Sequence, residues 1–338
     1  MAKVLLTEPI HESGIQVLKD AGLEVVISPS TDTKTLISLV QDDVIGIIVR
    51  ASVLNGEVLA AGKNLKIVGR HGAGYDNIDV KTANQLHVIV TNVPNANSYS
   101  VAEYIVAVVL LLSRKLVAGD TALRTGKLHQ QGTSLVGMAQ KFDLSGSELS
   151  GKCIGIIGLG KIGLRVAKMV SGVLGMKVMA CDPYKTEVPD GIEFTTDIEE
   201  IYRKADFISL HAPLTKDTEN MISAKQLSIM KPSAYLINAA RGGLVNDHDL
   251  AEALKTGMIA GAAVDVFHEE PPSLANPLFE APNILLTPHV AGTTNEAIER
   301  LAVGAAQAVA DFYCGKKPEH MVNPEVWEQI TLLNQNHK

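Results

Sequence analysis

The chain has 338 residues, of which 46% are hydrophobic and 20% charged, enough apolar material for two cores of ordinary domain size. A net charge of −7 with no Lys/Arg run argues against nucleic-acid binding through bulk electrostatics. Three scattered cysteines (Cys153, Cys181, Cys314) with no CxxC or metal-ligand spacing argue against a structural metal and for free thiols in a reduced cytoplasm. Residues 1–10 lack the layout of a signal peptide, and the longest apolar stretch, 105–112, is too short to span a bilayer.

Through the first hundred residues, strands predicted at 3–7, 23–27, 45–49, 65–69 and 88–91 alternate with helices at 11–21, 33–41, 55–61 and 80–86. This alternation implies a mostly parallel, doubly wound sheet, in which ligands gather beyond the carboxyl ends of the strands. Those ends carry Arg50-Ala51-Ser52, Arg70-His71-Gly72-Ala73-Gly74 and Asn92-Val93-Pro94-Asn95. Two readings are open here: an anion pocket built partly from backbone amides, or surface arginines beside turn glycines. Next, Ser98 or Ser100 caps a helix predicted to reach about residue 118, apolar over much of its surface and therefore buried. Residues 126–151, rich in Gln, Gly and Ser, read as an extended connection. It is either a partner-binding or substrate-side arm or a plain surface loop.

A strand at 153–157 then runs into Gly158-Leu159-Gly160-Lys161-Ile162-Gly163 and a helical pattern with Leu164, Val166, Ala167, Val170, Val173 and Leu174 on its apolar side. A glycine triplet in strand–turn–helix context points to a dinucleotide. Gly158 allows the tight turn, Gly160 lets a pyrophosphate approach, and Gly163 lets helix and strand pack closely. A second strand, 177–181, ends in Asp182, 19 residues beyond Gly163. A carboxylate there accepts from ribose hydroxyls and repels a 2′-phosphate, which favours NAD over NADP.

Strands at 207–210, 235–238, 260–264 and 284–287, with helices at 198–204, 224–230 and 247–256, bring this second sheet to six parallel strands. The polar stretches 238–243, 265–272 and 287–292 carry Arg241, Glu270 and His289 to one sheet edge. Singly, these read as a surface charge, a solvated loop residue and a satisfied turn histidine. Their coincidence at the ligand edge favours a catalytic set. A long helix at 295–313 follows, with a short tail at 322–326 ending the ordered chain.

At these residues the chain resembles the D-isomer-specific 2-hydroxyacid dehydrogenases, and among them the D-3-phosphoglycerate dehydrogenases. The matching stretches are 69–79, 92–100, the glycine triplet, His211-Ala212-Pro213-Leu214, 238–243, 265–272 and Pro288-His289, in family order. The resemblance implies an α/β fold of two doubly wound parallel-sheet domains. A Rossmann NAD-binding domain (101–292) is inserted into a discontinuous, flavodoxin-like substrate-binding domain (1–100 and 293–338), with the active site in the cleft. It also implies homodimers or homotetramers assembled through the coenzyme domain.

By the same resemblance Arg241, Glu270 and His289 form the catalytic set. Gly158, Gly160, Lys161, Ile162, Gly163, Asp182, Ala212, Ala239, Arg241, Asp265 and His289 line the NAD site. Arg50, Arg70, His71, Gly72, Ala73, Gly74 and Asn95 bind substrate. The implied reaction is hydride transfer between NAD(H) and a 2-hydroxy/2-oxo acid, with D-3-phosphoglycerate as the first substrate and a role in serine biosynthesis, while a serine-sensing regulatory domain is expected to be lacking as a departure from that family. Two departures stand out. Gly126-Lys127-Leu128-His129-Gln130-Gln131 replaces the Gly-Lys-Trp-x-Arg of phosphoglycerate dehydrogenases, and His71 replaces a small residue. They keep open a reductase of glyoxylate, hydroxypyruvate or another unphosphorylated acid. From another class, an NAD-sensing, corepressor-like binding protein also stays open. A formate dehydrogenase is disfavoured, since that family pairs Gln with His where this chain has Glu270 and His289.

Overall fold

The computed structural model describes residues 1–41, 43–130 and 132–336, so Gln131 of the predicted arm and the last two residues lie outside the described residues. The chain forms two compact units, Met1–Asn97 with Thr293–Lys338, and Ser98–Gly292.

The first unit alternates β1 (Lys3–Leu6), α1 (Glu12–Asp20), β2 (Glu24–Ile27), α2 (Thr33–Leu39), β3 (Val44–Val49), α3 (Gly56–Ala61), β4 (Ile67–Arg70), α4 (Val80–Gln85) and β5 (Ile89–Thr91). Asp32, Asn55 and Asp79 start α2, α3 and α4 by accepting from the amides of Thr35, Val58 and Thr82, which satisfies otherwise orphaned N–H groups. The strands pair in parallel in the order β2-β1-β3-β4-β5, the flavodoxin-like order, with its switch point between β1 and β3.

The sheet is completed from the far end of the sequence. Ala305, Ala306 and Val309 of the long helix after residue 294 share a core with Ile48, Ile67 and Ile89. Gly69 makes that approach possible, since a Cβ there would stand 2.9 Å from the Ala305 carbonyl oxygen. The predicted short tail needs correction: Pro324–Asn336 is a helix, with Pro324 in its first turn, where a missing N–H costs nothing.

The second unit contains α5 (Ser98–Ser113), α6 (Leu116–Arg124), α7 (Leu135–Lys141), β6 (Cys153–Ile157), α8 (Lys161–Leu174), β7 (Lys177–Cys181), β8 (Ile192–Phe194), α9 (Ile198–Lys204) and β9 (Phe207–Leu210). It continues through α10 (Ala224–Ser228), β10 (Tyr235–Asn238), α11 (Asp247–Lys255), β11 (Gly261–Val264) and β12 (Ile284–Leu286). In the first unit the chain then ends with α12 (Asn295–Tyr313) and α13 (Pro324–Asn336). The second sheet is wholly parallel, β12-β11-β10-β9-β6-β7-β8, a Rossmann order with its switch point between β6 and β9.

It has seven strands where six are predicted. β8 is three residues long, too short to carry a periodic signal, and pairs with β7. The helix expected to reach 118 breaks at Lys115, which takes a left-handed φ of 50° between α5 and α6. The arm is partly helical, because Ala122, Leu128 and Met138 build a small apolar cluster with Phe142 and Leu144. Among the described residues no helix is long and apolar enough to cross a membrane.

Candidate active site

The glycine-rich turn leaves β6 at the switch point of the second sheet. Gly158 has φ +94°, and a Cβ on it would stand 2.7 Å from the His211 backbone; one on Gly163 would stand 2.4 Å from the Gly158 oxygen. A Cβ on Gly160 would meet nothing within 4 Å. Packing thus demands the outer two glycines, while the space over the middle one is open. Gly160 caps α8 without a side-chain hydrogen bond, so the first N–H groups of the helix, from Lys161 and Ile162 onward, face that space. Asp182 ties β7 to the turn: Leu159 N–H donates to Oδ2 at 2.8 Å and Tyr184 N–H to Oδ1 at 2.9 Å. Each oxygen keeps acceptor capacity for a ribose hydroxyl. Ala212 and Ala239 follow β9 and β10 at the same edge. These groups fit a dinucleotide.

Three neighbouring strand ends supply the charged side chains. After β10, Asn238 braces its own turn, accepting from Ala240 N–H at 3.1 Å and donating to the Arg241 carbonyl at 2.9 Å. A Cβ on Gly242 would fall 2.0 Å from the Phe267 carbonyl, so the loop carrying Arg241 lies directly on the loop that leads to Glu270. Glu270 accepts from Phe267 N–H through Oε1 at 3.0 Å and pairs through Oε2 with His289 Nδ1 at 2.7 Å. Burial works against its charge, but the bonds from His289 and Phe267 and the positive charges of His289 and Arg241 outweigh it. Its pKa lies below the ordinary carboxylate value.

His289 takes a left-handed φ of 54°, a costly conformation for a residue with a Cβ. Its N–H donates to the Asp265 carbonyl at 2.7 Å. The Asp265 carboxylate, 1% exposed, fixes the rest of the loop. Oδ1 accepts from Thr287 Oγ1 at 2.5 Å and Val290 N–H at 2.9 Å, and Oδ2 accepts from Ala291 N–H at 2.9 Å. Tyr104 on α5 shares a hydrogen bond of 2.7 Å with Thr287. Asp265, expected at the cofactor, therefore spends most of its acceptor capacity inside the protein. Thr287 and Tyr104 escaped the sequence reading, since nothing in an apolar helix marks one tyrosine as the partner of a residue far along the chain.

In the first unit, Arg70 folds its guanidinium over Gly72 and donates to the His71 carbonyl. The His71 and Gly72 amides donate to Val49 and Arg70 carbonyls at 2.8 and 2.9 Å. Of the predicted amide lining at 71–74, Ala73 and Gly74 keep N–H groups without a protein acceptor among the described residues. His71 is 5% exposed. Burial, with the charges of Arg50 and Arg70, pushes its pKa down to about 4, so the ring is neutral at pH 7. Asn95 has φ +80° in the turn after β5.

The stretch 50–52 departs from expectation, because its amides are already filled. Glu8 accepts from Arg50 N–H through Oε2 at 3.2 Å, and from Ala51 and Ser52 N–H through Oε1 at 2.9 and 3.0 Å. The Thr7 hydroxyl also donates to Oε2. The available signal for Glu8 was its place, an acidic residue just beyond the strand that borders the switch point.

Residues 106–291 match the family model described as D-isomer specific 2-hydroxyacid dehydrogenase, NAD binding domain. The D-3-phosphoglycerate dehydrogenase of Methanocaldococcus jannaschii is 36% identical over 326 residues, covering 96% of this chain and 60% of its own length. The glyoxylate reductase of Thermofilum pendens is 36% identical over 333 residues, covering 96% of this chain and 95% of its own. Among solved structures, the TT0316 protein from Thermus thermophilus has a TM-score of 0.85 at 30% identity, covering 95% of this chain and 99% of that one. The chain spans about three fifths of the length of the curated archaeal D-3-phosphoglycerate dehydrogenases it matches.

Proposed function

The chain belongs to the D-isomer specific 2-hydroxyacid dehydrogenase family, and on that footing we propose that it is an NAD-dependent oxidoreductase interconverting D-2-hydroxy acids and 2-oxo acids. The observation that carries this reading is the Glu270–His289 pair, with the Arg241 charge acting on it, at the sheet edge that bears the dinucleotide cradle.

Bound NADH would supply the hydride for the C2 carbonyl of a 2-oxo acid. His289 has Nδ1 engaged by Glu270, so Nε2 would donate the proton to the carbonyl oxygen and, in oxidation, remove it from the hydroxyl. Glu270 holds the ring's orientation and stabilises its protonated form. Arg241 would bind the substrate carboxylate and polarise the carbonyl. Arg50, Arg70, His71, Gly72, Ala73, Gly74 and Asn95 are the proposed substrate set, the free Ala73 and Gly74 amides being its best-supported donors. Gly158, Gly160, Lys161, Ile162 and Gly163 would hold the pyrophosphate, and Asp182 the ribose. Ala212, Ala239 and Asp265 would border the nicotinamide.

Two substrate readings stand side by side. Similarity to D-3-phosphoglycerate dehydrogenases supports a phosphorylated acid and a place in serine biosynthesis. An unphosphorylated acid is supported by the glyoxylate reductase that matches along nearly its whole length, and by the missing Trp and Arg after Lys127. Exposed apolar side chains on α6 and α7 (Leu116, Val117, Leu123, Leu135, Val136) support a homodimer or homotetramer formed through the second unit. Free thiols at all three cysteines are compatible with a cytoplasmic setting.

An NADH absorbance assay against a panel of 2-oxo acids tests the reading. His289→Ala should lower turnover by roughly 10²–10⁴-fold with little change in NADH affinity. Equal losses in both would sink the acid/base role, and NADH binding without turnover of any acid would favour the NAD-sensing alternative.

A further inference from the structure

His289 sits in a turn whose shape depends on one buried carboxylate, and that carboxylate is held in its turn from the apolar helix α5. The Asp265 carbonyl accepts the His289 N–H at 2.7 Å, and its side chain accepts from Val290 and Ala291 N–H at 2.9 Å each. The third donor to that side chain is the Thr287 hydroxyl, 2.5 Å from Oδ1. All of these residues belong to the second unit, as does Tyr104 on α5.

The direction of the bond between Tyr104 and Thr287 follows from counting protons. A threonine hydroxyl has one proton to give, and a carboxylate can only accept, so Thr287 spends its proton on Asp265. The Tyr104 hydroxyl, 2.7 Å from Thr287 Oγ1, is then the donor in that contact. Burial raises the Tyr104 pKa above the ordinary tyrosine value, which the bond to Thr287 offsets only in part, so the phenol keeps its proton near neutral pH. The result is a one-way chain from the Tyr104 O–H through Thr287 Oγ1 to Asp265 Oδ1. Each donor in such a chain polarises the next. It also settles the Thr287 side chain, because a threonine hydroxyl without a second partner can turn to a nearby backbone carbonyl instead. The base of the chain is firm. Tyr104 packs against a core that joins Val101, Ala102 and Ile105 of α5 to Ala263 of β11 and to Ala291, two residues past His289.

We propose that Tyr104 is a positioning residue for the acid/base step: acting through Thr287 and Asp265, it sets the turn that aims His289. The proposal rests on the dehydrogenase reading above and adds to it a side chain that lies outside the strand-end loops.

The test starts from Tyr104→Phe in the full-length protein, which keeps the ring in its core and removes the hydroxyl. With NADH and a 2-oxo acid that the wild type reduces, kcat should fall by roughly 3- to 10-fold, the scale of one net hydrogen bond, with little change in NADH affinity. Added to Thr287→Val, the same substitution should cost nothing further, because the chain is already cut. Added to Thr287→Ser, which keeps a hydroxyl, it should again cost several-fold. An unchanged kcat in Tyr104→Phe overturns the proposal. So does an equal loss in the Thr287→Val background, which would mean that Tyr104 acts by another route. If Thr287→Val does not fold, NMR of protein labelled at histidine decides. The His289 amide resonance, identified by its loss in His289→Ala, reports the bond to the Asp265 carbonyl. It should shift in Tyr104→Phe while the amides of His11 and His320, in the first unit, stay in place; an unmoved His289 amide overturns the proposal. A shifted His289 amide in a protein that reduces no 2-oxo acid would support the role of Tyr104 and count against the dehydrogenase reading instead.

Discussion

His289 is held from two sides, and the two restraints do different work. Glu270 fixes the ring through one hydrogen bond of 2.7 Å, whereas Asp265 fixes the backbone through its own carbonyl and through a carboxylate shared by Thr287, Val290 and Ala291. A left-handed residue costs on the order of 1–3 kcal/mol, and this set of bonds offsets it. The neighbouring His211 plays a different part. Its backbone closes over the Gly158 turn, its Nε2 pairs with Ser209 Oγ at 2.9 Å, and burial pushes its pKa from 6.5 down to about 4. The unfolded chain therefore binds a proton that the native protein refuses between those values. The stability from burying this ring neutral is complete above pH 6.5 and falls as the pH drops toward 4. The loss from His211 by about pH 5 is on the order of 2 kcal/mol. His211→Gln should flatten the fall in unfolding free energy between about pH 7 and about pH 5, measured in urea; an unchanged slope would assign the acid sensitivity to other groups. At this scale the placement of Arg241, Glu270 and His289 was legible, because each follows a strand at one edge of the second sheet. Thr287, Tyr104 and Glu8 were not. Their partners are fixed by three-dimensional neighbours, and Tyr104 and Thr287 stand 183 residues apart.

Elements follow the same division between local pattern and distant contact. Most strands and helices could be read from short apolar runs and caps, because burial of one face imposes a period. The misread pieces are those with little face to bury: β8 with three residues, α7 with Met138 as its buried side chain, and α13 with a stripe of Val326, Trp327 and Ile330. α13 is fastened by the residue just before it. Asn323, 1% exposed, accepts from Val90 N–H at 2.8 Å and donates to the Val88 carbonyl at 3.0 Å and to Asn84 Oδ1 at 2.6 Å. It extends the edge of β5 as an added strand would, with Val322 N–H donating to the Val90 carbonyl at 2.7 Å. Asn323→Ala strands a buried N–H and a buried C=O, each worth about 1–3 kcal/mol. We expect a loss of about 2–4 kcal/mol in urea unfolding, and at least as large a loss for Asn323→Asp, whose buried carboxylate would face the Val88 carbonyl and Asn84 Oδ1 that the native amide donates to. A loss under about 0.5 kcal/mol would mean that water replaces the side chain without penalty.

At the scale of the whole molecule, the two units differ in how their cores are assembled from the chain. Ser98–Gly292 is continuous, and its two cores draw on residues from within that span. The first unit is split, and one face of its sheet is covered by α12, which arrives after the entire second unit. The fit is close: a Cβ on Gly14 of α1 would stand 2.7 Å from the Ala302 oxygen, and one on Gly46 of β3 would stand 3.1 Å from Val309. Residues 1–97 hold no counterpart of Ala305, Ala306 and Val309, so that stretch alone leaves the core of Ile48, Ile67 and Ile89 only partly covered, by α1 and the loops around it. An apolar sheet face without its covering layer does not make a stable domain. Residues 1–97 expressed alone should therefore lack a cooperative melt and expose apolar surface, while residues 98–292 should melt cooperatively and bind NADH. Adding a separate peptide spanning 293–336 to the first fragment should restore a cooperative transition. Cooperative melting of 1–97 without that peptide would show that α12 is dispensable to the first core. Failure of 98–292 to fold would show that the continuous unit depends on the split one, although its sheet and both of its cores are complete within its own sequence.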